Sequence, residues 1–191
     1  MIAVSPHISV YKKPPKQINE QIKQLGYICF ATKKLSVVEQ KINQDQTIAS
    51  KPEKFVVAVA NGALLGRIKI FKRTSIFDNT HITIGGVGGV CVEPNVRNHG
   101  IGSRLLYTAL AEIKKSNVDI ALLIVDAKNK KLVALYQKFG FTLLNRNVTY
   151  TGKSGTIYSQ KGAMIAPMRS KNTYTKICTA KTSLHIGYGN F

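Results

Sequence analysis

The stretch of this sequence best suited to chemistry is a basic, glycine-spaced turn in the segment "VCVEPNVRNHGIGSRLL". A strand-like run ends at Pro94, then Arg97, Gly100 and Gly102 follow, and a helical pattern begins at Ile101. The first four N–H groups of a helix have no intrahelical partner, and the helix dipole adds partial positive charge there. Glycine permits positive φ angles and lets a phosphate approach the backbone. The turn therefore predicts a phosphate cradle, with a plain strand-to-helix connection as the simpler alternative.

Hydrophobic periodicity predicts the elements that would position this turn. Their order is α, α, β, β, β, α, β, α, β, β, which is a mixed α/β domain. Asn61-Gly62 predicts a hairpin between "FVVAVA" and "ALLGRIKIF". The segment "ITIGGVGGVCV" predicts a third strand, in which the glycines mark a bulge or a close approach. Ile101–Ile113 has one apolar helical face, and "IALLIV" is a buried strand.

Glycines and helix-capping residues predict where several helices begin or end. A first helix is expected to stop near Gly26, and Ser36 with Glu39 fits a capping box for a second. The helix over "LVALYQKF" ends at Gly140. The segments "FTLLNRNVTYT" and "TIYSQKGAMIAPM" predict two final strands, and an irregular, basic tail follows them.

Length and composition favour one domain. The chain has 191 residues, of which 44% are hydrophobic, and this suffices for one buried core. We expect a single domain over 1–191, with a motif-bearing core at about 55–168 and a basic C-terminal tail at 169–191. No apolar run is long enough to span a membrane, and the start does not resemble a signal peptide. The scattered cysteines and histidines show no zinc spacing, so we expect a cytoplasmic protein with reduced thiols and no metal.

The formal net charge of +19 is high, and it is unevenly distributed. After Asp126 the sequence has no Asp or Glu, while eleven Lys and Arg remain. Such a field favours polyanions, anionic cofactors or acidic surfaces as partners. A merely solubilising surface is the equally weighted alternative.

Two motifs in this chain resemble those of the GNAT superfamily of acyl-CoA-dependent N-acetyltransferases. The signature V-x-P-x-x-R/Q-x-x-G-x-G/A is matched from Val92 to Gly102, and a second motif that ends in L-Y-x-x-x-G-F is matched within 129–141. The resemblance is specific from about Phe55 to Phe141 and implies a mixed, mostly antiparallel central sheet flanked by helices. The layout is loosely closest to the aminoglycoside 2′-N-acetyltransferase-like branch. That branch tends to carry a carboxylate near the position of Gly88, where this chain has glycines.

The resemblance implies acetyl-CoA as co-substrate and a role for each matched residue. The backbone of Val90, Cys91 and Val92 would pair with the pantetheine arm, which Asn129 would also contact. Tyr136 would protonate the leaving thiolate, because a phenol can donate a proton at neutral pH. As plain alternatives, Asn129 is a helix N-cap and Tyr136 is a core aromatic. The pyrophosphate would be held by the backbone amides of Arg97, Asn98, His99, Gly100, Ile101 and Gly102, together with Ser103.

The base that would deprotonate the acceptor is not evident from the sequence. An alkylammonium has a pKa of about 10 and must lose a proton before its nitrogen attacks a thioester. Many members of the superfamily place a Glu where this chain has Ile124. Glu93, beside the turn, and Asp126, at the end of the apolar strand, can each act through water. Each can equally be a cap or a salt-bridge partner.

The two motifs predict transfer of an acetyl group from acetyl-CoA to a primary amine of a small molecule, by direct attack on the thioester. The C-terminal third, which has no acidic residue, disfavours a polycationic acceptor and favours a neutral, zwitterionic or anionic one. One alternative is a GNAT enzyme or toxin that acetylates an aminoacyl-tRNA, and another is a non-catalytic CoA-binding module. No membrane partner is expected, and a homodimer is left open.

Overall fold

A computed structural model of the chain describes residues 5–30, 37–46 and 51–189. The helices are α1 (Lys16–Phe30), α2 (Val37–Gln46), α3 (Ile101–Lys115), α4 (Lys130–Lys138) and α5 (Lys171–Thr179). The strands are β1 (His7–Tyr11), β2 (Lys54–Ala60), β3 (Ala63–Phe77), β4 (Thr80–Val92), β5 (Ile120–Ile124), β6 (Thr142–Leu143), β7 (Val148–Thr151), β8 (Ile157–Gln160), β9 (Ala163–Pro167) and β10 (Leu184–Tyr188). A short 3₁₀ turn at Pro94–Val96 connects β4 to the segment before α3.

The larger of two sheets has the strand order β1-β2-β3-β4-β5-β9-β6. Its neighbouring strands are antiparallel, except that β4 and β5 are parallel. The β2–β3 turn has positive φ at Asn61 (49°) and Gly62 (76°), as the predicted hairpin requires. The predicted fold class, a mixed and mostly antiparallel sheet flanked by helices, is confirmed.

The parallel β4–β5 pair is short, and the sheet splits beyond it. Ile84–Val87 pair with Ile120–Leu123, whereas β4 continues to Val92 with no further β5 partner among the described residues. Gly89, with φ of 56°, forms a bulge where the register between β3 and β4 shifts. The last part of β4 therefore has one open edge, and the bulge agrees with one of the two interpretations of the glycine-rich segment.

Helices α1 and α3 cover opposite faces of the large sheet. On one face, Leu105 of α3 packs in the same buried cluster as Ile68 of β3. On the other face, Ile22 and Leu25 of α1 pack with Cys91 of β4. Since successive strand residues point to opposite faces, this arrangement determines which side chains of β3 and β4 can meet.

The C-terminal part differs from the prediction. Both expected final strands are broken, because β6 and β9 join the large sheet whereas β7 and β8 form a second sheet with the order β10-β7-β8. The break before β9 lies at Gly162, with φ of 83°, where any Cβ would collide with the carbonyl of Val125. The irregular tail expected from residue 169 onwards instead contains α5 and β10, and Leu184 and Ile186 of β10 are fully buried.

The predicted end of the first helix is also wrong. Helix α1 runs through Gly26 to Phe30, although glycine weakens a helix interior. The reason is a tertiary contact: Gly26 lies against the guanidinium of Arg67, with which any Cβ would collide. Ser36, the predicted cap of the second helix, lies outside the described residues.

A disulfide joins α1 to β4, contrary to the prediction of reduced thiols. Cys29 and Cys91 are bonded, with Cα atoms 6.3 Å apart and a sequence separation of 62 residues. Cys178 is a free, partly buried thiol. The bond fixes α1 beside the part of β4 that has no β5 partner.

Candidate active site

A cleft of about 500 Å³ lies between the open part of β4, the start of α3 and helix α4. The turn predicted to hold a phosphate and the predicted proton donor on α4 both line it. Its apolar wall is not evident from the sequence, in which the apolar positions of α3 and α4 indicate only ordinary core packing. The lining residues are Val90, Val92, Val96, Arg97, Asn98, Gly100, Ile101, Gly102, Ser103, Leu106, Leu132, Leu135 and Tyr136.

The turn before α3 presents backbone N–H groups that have no internal acceptor. Asn98 and Gly100 have φ angles of 67° and 77°, and no side chain caps the helix. Within the described part of the chain, no acceptor takes the N–H groups of Ile101, Gly102 and Ser103. These groups carry the partial positive charge of the helix start. The arrangement can therefore bind a phosphate.

Arg97 lies exposed between this turn and the end of β4. Its Nε donates to the carbonyl oxygen of Val92 at 3.0 Å, and its Nη2 lies 3.8 Å from Sγ of Cys29. Nδ1 of His99 lies 2.8 Å from the carbonyl oxygen of Arg97. Arg97 lines the cleft and His99 does not, so only the guanidinium adds a formal charge to the lining.

The end of β4 presents to the cleft a backbone edge with no paired strand among the described residues, although the carbonyl oxygen of Val92 already accepts from Nε of Arg97. The N–H of Glu93 donates to the carbonyl of Leu65 on β3 at 2.9 Å. Because peptide groups alternate along a strand, those of Val90 and Val92 point away from β3. Both of these residues line the cleft. Cys91, predicted with them, does not line it, since it pairs with β3 and its side chain is in the disulfide.

Tyr136 places a buried phenol in the wall of the cleft. Its side chain is 5% exposed, and burial raises the pKa of the phenol to about 12. The ring packs edge-on against Phe141, with centroids 6.1 Å apart. No described residue hydrogen-bonds its hydroxyl group. The hydroxyl is therefore protonated at neutral pH and can donate to a ligand.

Three other predicted site residues make local contacts. Asn129 caps α4, and its Oδ1 accepts from the N–H three residues later at 3.1 Å. Oε2 of Glu93 accepts from the N–H of Asn95 at 2.8 Å and so caps the 3₁₀ turn. Oδ1 of Asp126 accepts from the N–H two residues later at 3.0 Å. None of these three residues lines the cleft.

The cleft shows no sign of metal chemistry in its side chains. The described residues contain no group of three or more His, Cys, Asp or Glu that could hold a metal ion.

None of the described helices is both long enough and apolar enough to cross a membrane. Ile124, the last residue of β5, is apolar and offers no base.

A comparison with protein-family models establishes the affiliation of this chain. Residues 21–141, more than half of the chain, match the model of the Acetyltransferase (GNAT) family. The chain belongs to the GNAT family. Both GNAT motifs of the sequence and the complete lining of the cleft fall within the matched residues.

Solved GNAT structures share the fold. The N-acetyltransferase YhbS from Escherichia coli, in complex with CoA, superposes with a TM-score of 0.62 at 16% identity and covers 97% of this chain and 90% of its own. A GNAT family acetyltransferase from Brucella melitensis, in complex with acetyl-CoA, superposes with a TM-score of 0.51 at 25% identity and covers 71% and 83%. The first likeness supports the fold alone, because its sequence identity is low.

A curated relative is similar over about half of this chain. Mycothiol acetyltransferase from Paenarthrobacter aurescens (strain TC1) is 36% identical over 102 residues, which are 52% of this chain. The match covers 30% of the length of that relative. This GNAT chain is thus similar to one part of a longer acetyltransferase.

Proposed function

We propose that this protein is an N-acetyltransferase that moves the acetyl group of acetyl-CoA to a primary amine of a small molecule. The observation that carries the proposal is the cleft, in which free N–H groups, a free strand edge and a protonated phenol share one space. These three features suit a pyrophosphate, an amide-bearing arm and a leaving thiolate.

The residues of the cleft fit coenzyme A. The unpartnered N–H groups of Ile101, Gly102 and Ser103 would hold the pyrophosphate, and Arg97 would add a formal positive charge. The edge of β4 at Val90 and Val92 would pair with the amides of the pantetheine arm, as a strand pairs with a strand. Acetyl-CoA supplies the acetyl group in an activated form, as a thioester.

Tyr136 would donate its proton to the sulfur that leaves when the amine attacks. The carbon–nitrogen bond forms, the carbon–sulfur bond breaks, and the leaving thiolate takes the phenol proton. The acetylated nitrogen releases one proton, which restores the phenol. Its pKa of about 12 keeps the donor protonated across the physiological range. The hydroxyl has no partner among the described residues to compete for this proton.

The acceptor ammonium must lose a proton first, and two carboxylates lie next to the cleft in sequence. Glu93 and Asp126 would act through water, although each also caps a turn. The substitutions Glu93→Gln and Asp126→Asn separate these roles. Gln and Asn keep a side-chain oxygen that can accept in the turn, so loss of a base should lower kcat at neutral pH and spare it at high pH, with little change in thermal stability.

A small-molecule acceptor is supported by the relatives named mycothiol acetyltransferase, which are similar to about half of this chain. The absence of acidic residues after Asp126 points to an acceptor that is neutral, zwitterionic or anionic. The acceptor is therefore expected among small amines of low positive charge.

The decisive experiment combines binding with turnover. Isothermal titration calorimetry measures the affinity for acetyl-CoA, and free-thiol release measures acetyl transfer to a panel of small amines. Arg97→Glu serves as the variant with weakened binding, and Lys114→Glu, an exposed residue at the far end of α3, is its charge-matched control. Absence of acetyl-CoA binding, or binding without thiol release on any amine, would contradict the proposal.

A further inference from the structure

Arg67 is a buried cation that no anion in the described structure neutralises. The exposed fraction of Arg67 is 5%, and its Nε and Nη1 atoms are buried without a hydrogen-bond partner. The ion pairs of Lys54 and Lys115 with Glu112, and of Arg169 with Asp119, do not include Arg67. Its Cζ lies 5.8 Å from the ring centroid of Phe30.

A buried guanidinium with unmade hydrogen bonds is costly, because water has been removed and nothing replaces it. A cation–π contact at this distance returns only part of that cost. Burial lowers the pKa of Arg67, yet an arginine keeps its charge in a protein. A charge retained in this way calls for an anionic ligand that supplies the missing acceptors.

Lys69 brings a second positive charge to the same place. It is two residues further along β3, hence on the same face of the sheet, and it is half-buried. Burial and the charge of Arg67 lower its pKa. A Cβ on Gly89 would lie 3.1 Å from Nη1 of Arg67 and 3.3 Å from Cδ of Lys69. The two cationic side chains therefore converge above this glycine.

Two glycines make room for the pair. Gly26 of α1 lies against the guanidinium from above, and Gly89 of the β4 bulge lies below it. A side chain at Gly26 would collide with Arg67, and one at Gly89 would crowd both cations. Two glycines, one inside a helix and one in a bulge, thus lie against one guanidinium.

The position of the pair relates it to the cleft. The cleft lies on the α3 side of the split between β4 and β5, whereas Arg67 lies on the α1 side, opposite Cys91. Cys91 is flanked by Val90 and Val92, which form the free edge at the cleft. Gly88 pairs with Lys69 and Gly89 lies against both cations, so the pair lies beside the part of β4 that has no β5 partner.

We infer that Arg67 and Lys69 form an oxyanion subsite for the acceptor, which carries a carboxylate or a phosphate in addition to its amine. The inference rests on the proposed acetyl transfer, and it narrows the substrate class from small amines to anionic or zwitterionic ones. The guanidinium offers two parallel N–H groups, which match the geometry of a carboxylate or a phosphate. Lys69 adds a point charge beside it.

The first test compares matched acceptors by free-thiol release. Each amine that carries a carboxylate is paired with its carboxamide, and each phosphorylated amine is paired with its alcohol. The anionic member of at least one series is expected to have a KM at least ten-fold lower than its neutral partner. Carboxylate and phosphate series distinguish the two sources of the oxyanion. Equal KM values within every pair would overturn the inference and leave the proposed acetyl transfer intact.

Substitutions of Arg67 and Lys69 test whether the preference for an anionic acceptor depends on these two side chains. Lys69→Gln and Arg67→Gln are expected to remove the preference for the anionic acceptor and to leave the affinity for acetyl-CoA unchanged. Lys72→Gln is the matched control, because Lys72 is exposed on the opposite face of the same strand and donates to the Ser116 carbonyl at 3.0 Å. Should Arg67→Gln fail to fold, Lys69→Gln decides alone. An equal effect of Lys69→Gln and Lys72→Gln would contradict the subsite.

A direct binding measurement makes the second test independent of catalytic turnover. Acetate and inorganic phosphate are titrated by calorimetry into the CoA-bound protein, so that the phosphate seat at α3 is occupied. Binding is expected in the natural protein and in Lys72→Gln, and it is expected to be lost in Lys69→Gln. If no amine is acetylated but this binding holds, the proposed function fails and the anion subsite stands. If neither anion binds, the subsite is overturned.

Discussion

The two sides of the split between β4 and β5 are equipped for anions in different ways. On the α3 side the donors are the N–H groups of Ile101, Gly102 and Ser103. On the α1 side they are the charged side chains of Arg67 and Lys69, which converge above the bulge. Backbone donors carry only partial charges, and leaving them free costs little at an exposed helix start. A buried guanidinium carries a full charge and is costly to bury while it is unpaired.

The backbone donors on the α3 side and the charged side chains on the α1 side therefore contribute to binding in different ways. The α3 side is pre-formed at low cost and suits a cofactor that every turnover uses. The α1 side holds an unneutralised charge, so a ligand there gains strongly when it is an anion and little when it is neutral. Changes made on each side should therefore have distinct consequences.

The largest expected effect is on the α3 side, with Gly102→Asp. A carboxylate in the first turn of α3 takes up the free N–H groups and repels a phosphate, so the affinity for acetyl-CoA should fall about 100-fold or more. The fold should persist, because Asp suits a helix start and a Cβ would be 3.7 Å from Cγ2 of Val92. Calorimetry measures the affinity, with Gly102→Ala as the uncharged control. Unchanged affinity in Gly102→Asp would move the phosphate away from this turn.

The second effect concerns the bond that holds α1 against β4. Reduction of Cys29–Cys91 releases a loop with a separation of 62 residues, and the free energy of unfolding should fall by about 4 kcal/mol at most. Urea unfolding with and without dithiothreitol measures this, in a Cys178→Ser background that removes the free thiol. If α1 shifts on reduction, the preference for anionic acceptors should weaken before the affinity for acetyl-CoA does. Superimposable unfolding curves would contradict a stabilising role for the bond.

The third effect tests the proposed proton donor in the wall of the cleft. Tyr136→Phe keeps the ring packed on Phe141 and removes the hydroxyl group. We expect kcat to fall about 10- to 100-fold with little change in the affinity for acetyl-CoA. Free-thiol release and calorimetry separate the two quantities. An unchanged kcat would remove Tyr136 from the proton-transfer step.

The same pair of proteins gives a pH dependence with a definite sign. The pKa of Tyr136 is raised to about 12 in the folded state, so its contribution to stability is fully present below about pH 10 and is lost as the pH rises through 12. Between about pH 10 and pH 12, the free energy of unfolding of the natural protein should therefore fall relative to that of Tyr136→Phe. Denaturant unfolding at pH 9 and above measures it, and a constant difference would contradict a raised pKa.

The smallest expected effect reverses the usual sign of a core substitution. Arg67→Met keeps much of the side-chain volume and removes an unpaired buried charge, so the free energy of unfolding should rise by about 1–2 kcal/mol. The lost contact with Phe30 offsets only part of this gain. The same variant should lose the preference for anionic acceptors. A less stable Arg67→Met protein would indicate that the charge is compensated within the fold.

The sequence predicts the α3 side far better than the α1 side. The predicted cradle depends on glycine and on the start of a helix, both of which are local signals, and the second motif includes Tyr136, which lines the same cleft. The α1 side depends on which residues meet across strands, and neither Arg67 nor Gly26 has a local pattern that announces a contact. Gly26 was interpreted as a helix stop because propensity favours that interpretation, and tertiary packing overrides it.

The C-terminal part shows the same limit. Apolar alternation predicts strands in "FTLLNRNVTYT" and "TIYSQKGAMIAPM", and strands are present. The apolar alternation does not show which strands pair. In the structure, β7 and β8 pair with each other and with β10 in a second sheet and do not join the large sheet. The disulfide was missed for a related reason, since a separation of 62 residues carries no spacing signal.

The uncapped start of α3 also makes this helix a local reporter. Amide protons of Ile101, Gly102 and Ser103 have no acceptor within the described structure, and so they should exchange rapidly with deuterium in the free protein. A ligand that accepts from them closes the first turn as a cap would, and their exchange should slow while that of the α3 interior stays the same. Occupancy of the cleft can thus be followed amide by amide, without any acceptor being known.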